Sequence, residues 1–310
     1  MRNTLQFFFL LQIFLNLPAC SVQKSNTLTA QKKISSQHPA KKIVFIPGKD
    51  SHEIGEHEYL GGCRLLAKLL NENVTGIKAI VTGQGWPKDA TILDDADVIV
   101  IYCDGGPNHM IIPNLAQMDK LVKKGVGLVV LHYGLEIPKG ETGNFFLDWL
   151  GGYFETFYSV NPIWTVKLES LPKHPITNGV HSLEVSDEWY YHIRFTKDLN
   201  NITPLLSSLP PAATLNGPDG IRSNNEFVRR DVLVEKKAQI LAWAYNRQDG
   251  GRSVGFTGGH LHNNWMIDDF RKLILNAILW AAKIKVPKKG IITPAPSRDE
   301  MNALLKKPAK

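Results

Sequence analysis

Four short apolar runs mark the first half of the chain: Ile43 to Ile46, Ile77 to Val81, Val98 to Tyr102 and Val126 to Leu131. They are continuous rather than alternating and rich in β-branched residues, the pattern of strands covered on both faces. Between them, Leu60, Cys63, Leu66, Ala67 and Leu70 recur at helical spacing, and Pro113 opens a second helical segment, Asn114 to Lys124, that stops before Gly125. Strand and helix therefore alternate, which predicts an α/β fold around a mostly parallel sheet. Two later runs, Ile240 to Tyr245 and Val254 to Thr257, are joined by a turn-rich segment. Asp268 and Asp269 then open a helix, Phe270 to Lys283, with acidic side chains where the helix dipole favours them. From Pro287 onward the chain reads as a basic, solvated tail.

The middle, residues 145–235, is less regular and reads as an insertion. Eight of the 28 aromatic residues fall in residues 145–165, Trp164 among them, and Trp189, Tyr190 and Tyr191 follow. About half of such a cluster belongs beneath the insertion as a satellite core. The other half suits a pocket wall, where aromatic faces with polar tips match sugar rings.

Charge changes the picture less than its total suggests. The 310 residues carry 36 basic and 29 acidic side chains, a net +7. Six basic and no acidic residues lie in residues 1–42, and eight basic against two acidic in residues 283–310. The remainder, 22 basic against 27 acidic, is mildly acidic and has no basic stripe, which argues against a nucleic-acid partner. At the N-terminus, Met1-Arg2 and the apolar stretch Leu5 to Leu17 read as a signal peptide, too short for a span of about 20 residues. Leu17-Pro18-Ala19-Cys20 resembles a lipoprotein box, which predicts cleavage after residue 19, lipid attachment at Cys20 and a polar tether over residues 20–40. The expected location is the outer membrane, facing the periplasm or the cell surface, with the bilayer as a partner through the anchor. Cys63 and Cys103 remain, as two buried thiols or one bridge.

In a doubly wound sheet, ligands bind beyond the carboxyl ends of the strands. The first run leads into His52, Gly55, His57 and Glu58, and the third into Asp104-Gly105-Gly106. The fourth leads into His132-Tyr133-Gly134 with Glu136 nearby, and the late run into Gly258-Gly259-His260-Leu261-His262 and Trp265. Five of the ten histidines lie in these loops, a convergence that points to a polar site. Gly125-Val126-Gly127 begins a strand rather than linking strand to helix, so it is no dinucleotide loop, and phosphate-loop and serine-elbow motifs are missing.

The Asp104-Gly105-Gly106 turn, the run Gly125 to Gly134, Trp149 to Phe154, His174-Pro175-Ile176, Asp187 to Tyr191 and Phe256 to His260 occur in an order that resembles the ThuA-like (trehalose utilisation) family over residues 41–285. The resemblance implies a flavodoxin-like fold similar to class I glutamine amidotransferases, and links to disaccharides and keto-sugars. Where those enzymes carry Cys-x-Gly and His-x-Glu, this chain has His132-Tyr133-Gly134 and His260-Leu261-His262. Thioester glutaminase chemistry is therefore excluded, because imidazole does not replace a thiolate. Two chemistries stay open. His132, His260 and His262 could chelate a divalent metal such as zinc, or His132, Asp104 and His260 could move protons without one, in a hydrolase, lyase or isomerase. His52, His57, Glu136, Trp164, Glu188, Tyr191 and Trp265 are the expected carbohydrate contacts. The competing reading is a non-catalytic carbohydrate-binding envelope lipoprotein.

Overall fold

The structure is a computed structural model that describes residues 40–197 and 199–306. The signal segment, Cys20 and all but the last residue of the tether lie outside these. Chain order is β1 (Lys41–Pro47), α1 (Tyr59–Asn73), β2 (Ile77–Val81), β3 (Val98–Tyr102), α2 (Leu115–Lys123), β4 (Gly127–Leu131), α3 (Glu141–Leu150), β5 (Gly152–Tyr153), β6 (Ile163–Leu168), β7 (Leu183–Glu188), β8 (Arg194–Phe195), β9 (Ile202–Ser208), α4 (Glu226–Arg229), β10 (Gln239–Asn246), β11 (Arg252–Phe256), α5 (Asp268–Ala281) and α6 (Arg298–Ala303).

Seven strands form the central sheet in the order β2-β1-β3-β4-β11-β10-β9. The first five are parallel, and β10 then runs antiparallel to both β11 and β9. This is the flavodoxin-like winding, with the strand order reversing next to β1. The four early runs match β1 to β4 closely because both sheet faces are covered. Ile43 and Phe45 pack with α1 and α5 on one face, while Val44 and Ile46 pack with α2 and α3 on the other. Neither face tolerates a polar side chain, so the strands carry no alternation. Cys63 and Cys103 belong to opposite faces and are free thiols.

The insertion contains more order than its composition predicts. Strands β6 and β7 form an antiparallel hairpin with alternating exposure, and β5 pairs with β8. The tail expected to be solvated is packed instead. Ile291 is buried and its N–H donates to Asn276 Oδ1 of α5, Met301 is buried, and the Lys306 N–H donates to Glu58 Oε2 at 2.6 Å. Lys285, Lys288 and Lys289 are exposed, but its sparse apolar residues, its backbone groups and Lys306 find partners on the domain. Among the described residues, no helix is long and apolar enough to cross a membrane.

Candidate active site

Beyond the carboxyl ends of β1, β4 and β11, three imidazoles meet one carboxylate. Atoms of His57, His132, Glu188 and His260 lie within 4.8 Å of one another. His57 Nε2 is 3.0 Å from His132 Nε2, and Glu188 Oε2 is 3.3 Å from both His132 Nε2 and His260 Nδ1. His57, His132 and His260 are buried, and the Glu188 side chain is 16% exposed.

The local backbone explains how these side chains arrive. His132 occupies the turn that leaves β4 with φ at +52°, and His57 sits before α1 at +47°. Left-handed conformations are uncommon for residues with a Cβ, although histidine adopts them more readily than most, and such turns cluster at functional sites. Gly259 has φ at +117° and leads directly into His260. A side chain at the preceding Gly258 would strike the Trp189 ring, with a Cβ only 2.7 Å away, so the loop needs glycine to pass. Asp187, fully buried, then fastens that loop. Its carboxylate accepts from the N–H groups of Gly259 (2.7 Å), His260 (3.0 Å), Leu261 (3.2 Å) and its neighbour Glu188 (2.9 Å). The hairpin that carries Glu188 and the loop that carries His260 are thus one hydrogen-bonded unit.

Each member is oriented from behind. His132 Nδ1 donates to the Thr257 carbonyl at 2.8 Å, which leaves its Nε2 lone pair facing the cluster. The Tyr59 hydroxyl donates to Asp104 Oδ1 at 2.5 Å, and His57 Nδ1 lies 2.6 Å from the same hydroxyl oxygen. With the tyrosine hydroxyl proton directed at the carboxylate, His57 Nδ1 is the donor in that pair and its Nε2 also faces inward. Asn161 Nδ2 donates to Glu188 Oε1 at 2.9 Å, and Tyr190 stacks on His132 with its hydroxyl 3.2 Å from Nε2.

The electrostatics divide the imidazoles. Burial pushes His57 down to about 3, despite the Asp104 carboxylate. Burial would also lower His260, but the adjoining Glu188 outweighs it and raises the imidazole above its ordinary value. Burial works to raise Glu188, yet the His132 and His260 imidazoles, each with a nitrogen 3.3 Å away, prevail and hold the carboxyl far below the usual range. The site favours a charged Glu188–His260 pair beside a neutral His57.

Among the residues that the sequence singles out, His132 and His260 enter the cluster, and His57 and Glu188, expected as sugar contacts, are its other two members. Asp104 stands one residue back, linked through Tyr59, with Ser51 Oγ also donating to it at 2.8 Å. His52 lies at the mouth, its ring centroid 3.7 Å from that of His57, and its side chain is 37% exposed. Glu136 is buried beside the mouth and held by Arg222 through two hydrogen bonds of 2.6 Å. His262 does not join the others. A tight helical turn begins at His262 and breaks the extended alternation, so its ring points into the interior near Gly61 with neither nitrogen bonded. Trp164, Tyr191 and Trp265 are also interior. Trp164 Nε1 donates to the Trp189 carbonyl, the Tyr191 hydroxyl meets Thr214 Oγ1, and Trp265 packs against Tyr102 and Phe270. The aromatic rings at the cluster are Tyr59, Tyr133 and Tyr190 instead. Tyr190 stood in the aromatic run after Glu188, while Tyr59 and Asn161 carried no sequence signal.

Comparison with known proteins agrees with this architecture. A crystal structure of a ThuA-like protein from Bacteroides uniformis superposes with a TM-score of 0.56 at 18% identity, covering 79% of this chain and 93% of that one. A second, from Parabacteroides merdae, gives 0.50 at 14% identity over 85% and 99%. None of the curated proteins matches the sequence. The family model for ThuA, described as trehalose utilisation, matches residues 50–281, which includes every member of the cluster, and the chain belongs to the ThuA family.

Proposed function

We propose that the protein is an enzyme acting on a carbohydrate, a disaccharide or keto-sugar, by proton transfer at the cluster of His57, His132, Glu188 and His260. The observation that carries this reading is the convergence of three buried imidazoles and one carboxylate from four separate elements at the carboxyl edge of the sheet. A binding protein has no need to bury imidazoles against one another, since desolvating such groups costs free energy that only function returns. In the proposed chemistry His260, held cationic by Glu188, donates a proton to a sugar oxygen. His132, with its Nε2 lone pair inward, accepts one from a hydroxyl or from carbon beside a ketone. Asp104, through Tyr59, fixes the tautomer of His57.

Family membership supports the carbohydrate class. Thiol chemistry finds no support, because burial raises the pKa of both Cys63 and Cys103 and neither belongs to the cluster. The aromatic contacts Trp164, Tyr191 and Trp265, expected by the enzyme and the binder readings alike, are core residues here and favour neither. Export through a signal peptide and lipid attachment at Cys20 remain part of the proposal, resting on the N-terminal sequence alone.

The test is turnover of disaccharides and their 3-keto derivatives by the purified protein, followed by product chromatography, beside the His132→Ala and His260→Ala variants. The expected result is turnover that falls by roughly a hundredfold or more in each variant, in line with losing a general acid or base. Equal turnover in the variants, or sugar-dependent thermal stabilisation without turnover of any substrate, would overturn the enzyme reading.

A further inference from the structure

We infer that His57, His132, Glu188 and His260 form a binding site for one divalent first-row transition metal, zinc by preference, and that with the ion bound His132 and His260 would act as its ligands and not as the proton carriers described above. The cluster has a place for a cation, filled either by the proton that makes His260 an imidazolium or by a metal ion. His132 Nδ1 carries its hydrogen toward the Thr257 carbonyl, and His57 Nδ1 carries its hydrogen toward Tyr59, so two Nε2 lone pairs face each other at 3.0 Å. Glu188 Oε2 adds negative charge 3.3 Å from one of them. His260 Nδ1, in a buried residue, lies 3.3 Å from the same oxygen yet forms no hydrogen bond with it or with anything else. Its Nε2 faces Glu56 Oε1 at 3.6 Å, so carboxylates stand on both sides of the ring. Tyr190 has one hydroxyl proton to offer, and its oxygen lies 3.2 Å from one of the four cluster atoms, His132 Nε2.

The spacing fits an ion. Tetrahedral ligands at the usual zinc–nitrogen and zinc–oxygen lengths of about 2.05 Å stand about 3.3 Å apart. The separations here are 3.0, 3.3 and 3.3 Å, with His57 Nε2 to Glu188 Oε2 at 4.0 Å. Three imidazoles and one carboxylate suit borderline ions such as zinc, cobalt or nickel, and are too rich in nitrogen for calcium or magnesium. The supporting shell has the arrangement that metal-bound histidines require. A carbonyl stands behind His132, a tyrosine–carboxylate pair behind His57, and Asn161 behind Glu188. His52, His57 and Asp104 form a second, more exposed group at the mouth, but it shares His57 and its carboxylate is already taken by Tyr59 and Ser51. His262 belongs to neither group.

A metal held here would act as a Lewis acid toward a sugar carbonyl or hydroxyl, a role that rests on the carbohydrate reading although the site itself does not. The experiment separates the two. Protein freed of metal by chelation is titrated with zinc alone and with cobalt alone, following metal content by mass spectrometry, the visible absorption of bound cobalt and the thermal midpoint. The expected result is about one equivalent of metal, a cobalt spectrum of a nitrogen-rich site and a raised midpoint, as for ligands that bind only the folded state. His132→Ala and Glu188→Gln should abolish stoichiometric binding. Tyr59→Phe should weaken it roughly 10- to 100-fold by releasing His57, and His262→Ala should leave it unchanged. Absence of zinc and cobalt binding by folded wild-type protein, confirmed by circular dichroism, overturns the metal site. So does equal binding by a folded His132→Ala variant. Turnover that survives chelation leaves the carbohydrate reading standing while the metal falls. Metal binding without sugar turnover does the reverse.

Discussion

His57, His132 and His260 stand in loops that follow strands buried on both faces, whereas Glu188 ends a strand in a hairpin with one wet face. The sheet supplies rigid positions, because β1, β3 and β4 have neighbours on each edge and helices above and below. The hairpin β6–β7 is hydrogen-bonded only to itself as a sheet, and its depth comes from Val166, Val185 and Trp189 reaching into the core. A carboxylate placed by so independent an element needs a separate fastening, and Asp187 provides it. The difference teaches that the cluster has two origins joined at one buried side chain.

Breaking that joint should have the largest effect. Asp187→Ala removes the acceptor of four backbone N–H groups in a buried setting, so a loss on the order of 4 kcal/mol is expected in urea unfolding. Hydrogen exchange should speed up at residues 183–188 and 258–261 while β3 stays protected, because β3 is held from both sides by β1 and β4. A loss under about 1 kcal/mol, or equal deprotection of β3, would show that hairpin and sheet are not joined as described.

The same division decides what could be read from sequence. Strands β1 to β4 and helices α1, α2 and α5 were legible because burial on both sheet faces leaves continuous apolar runs, and because Pro113 and Asp268-Asp269 mark helix starts. The strand-end rule then delivered His57, His132 and His260 without any coordinates. It failed for His262, where period-2 reasoning assumed an extended segment and a helical turn intervened. The aromatic-cluster reading failed for Trp164 and Tyr191, and the strand-end rule for Trp265, because an aromatic side chain follows the same pattern in a pocket wall and in a core. The role of Asp187 lay out of reach. Three of its four partners are backbone groups more than 70 residues away, and a backbone N–H leaves no mark on composition or periodicity.

A smaller effect sharpens the sheet side of the comparison. His109 is buried beneath the β4 turn, and its Nδ1 accepts from the Ile111 N–H at 3.1 Å while Nε2 donates to the Gly134 carbonyl at 3.1 Å. The bond at Nδ1 requires the neutral ring, and burial holds its pKa down to about 4 from an ordinary 6.5. The folded state therefore resists protonation that the unfolded chain accepts. Stability from this group is complete above pH 6.5 and is lost as the pH falls from 6.5 toward 4, by about 3 kcal/mol in total. Chemical unfolding at pH 7 and pH 4 should show that decline shrinking by about that amount in His109→Gln. An unchanged decline would remove His109 as the brace between the β3 and β4 ends.

The smallest effect concerns the C-terminal segment, which belongs to neither region and lies across the first loop of the site. The Lys306 ammonium donates to the carbonyls of Ser51 and Glu56, and its N–H donates to Glu58 Oε2, so the segment bears on the turn that presents His57. That hold depends on α6, a helix of six residues too short to persist without a cap. Ser297 Oγ accepts from the Glu300 N–H at 3.1 Å and Glu300 Oε2 accepts from the Ser297 N–H at 2.9 Å, a reciprocal capping box. Ser297→Ala should cost about 1 kcal/mol locally, and because the segment opens apart from the sheet, limited proteolysis after residue 290 should quicken several-fold while the urea midpoint hardly moves. If instead the global midpoint falls by the full amount and proteolysis does not change, the segment unfolds together with the sheet. The first loop and its His57 would then belong to one cooperative unit with the C-terminus, not to a frame set by β1 alone.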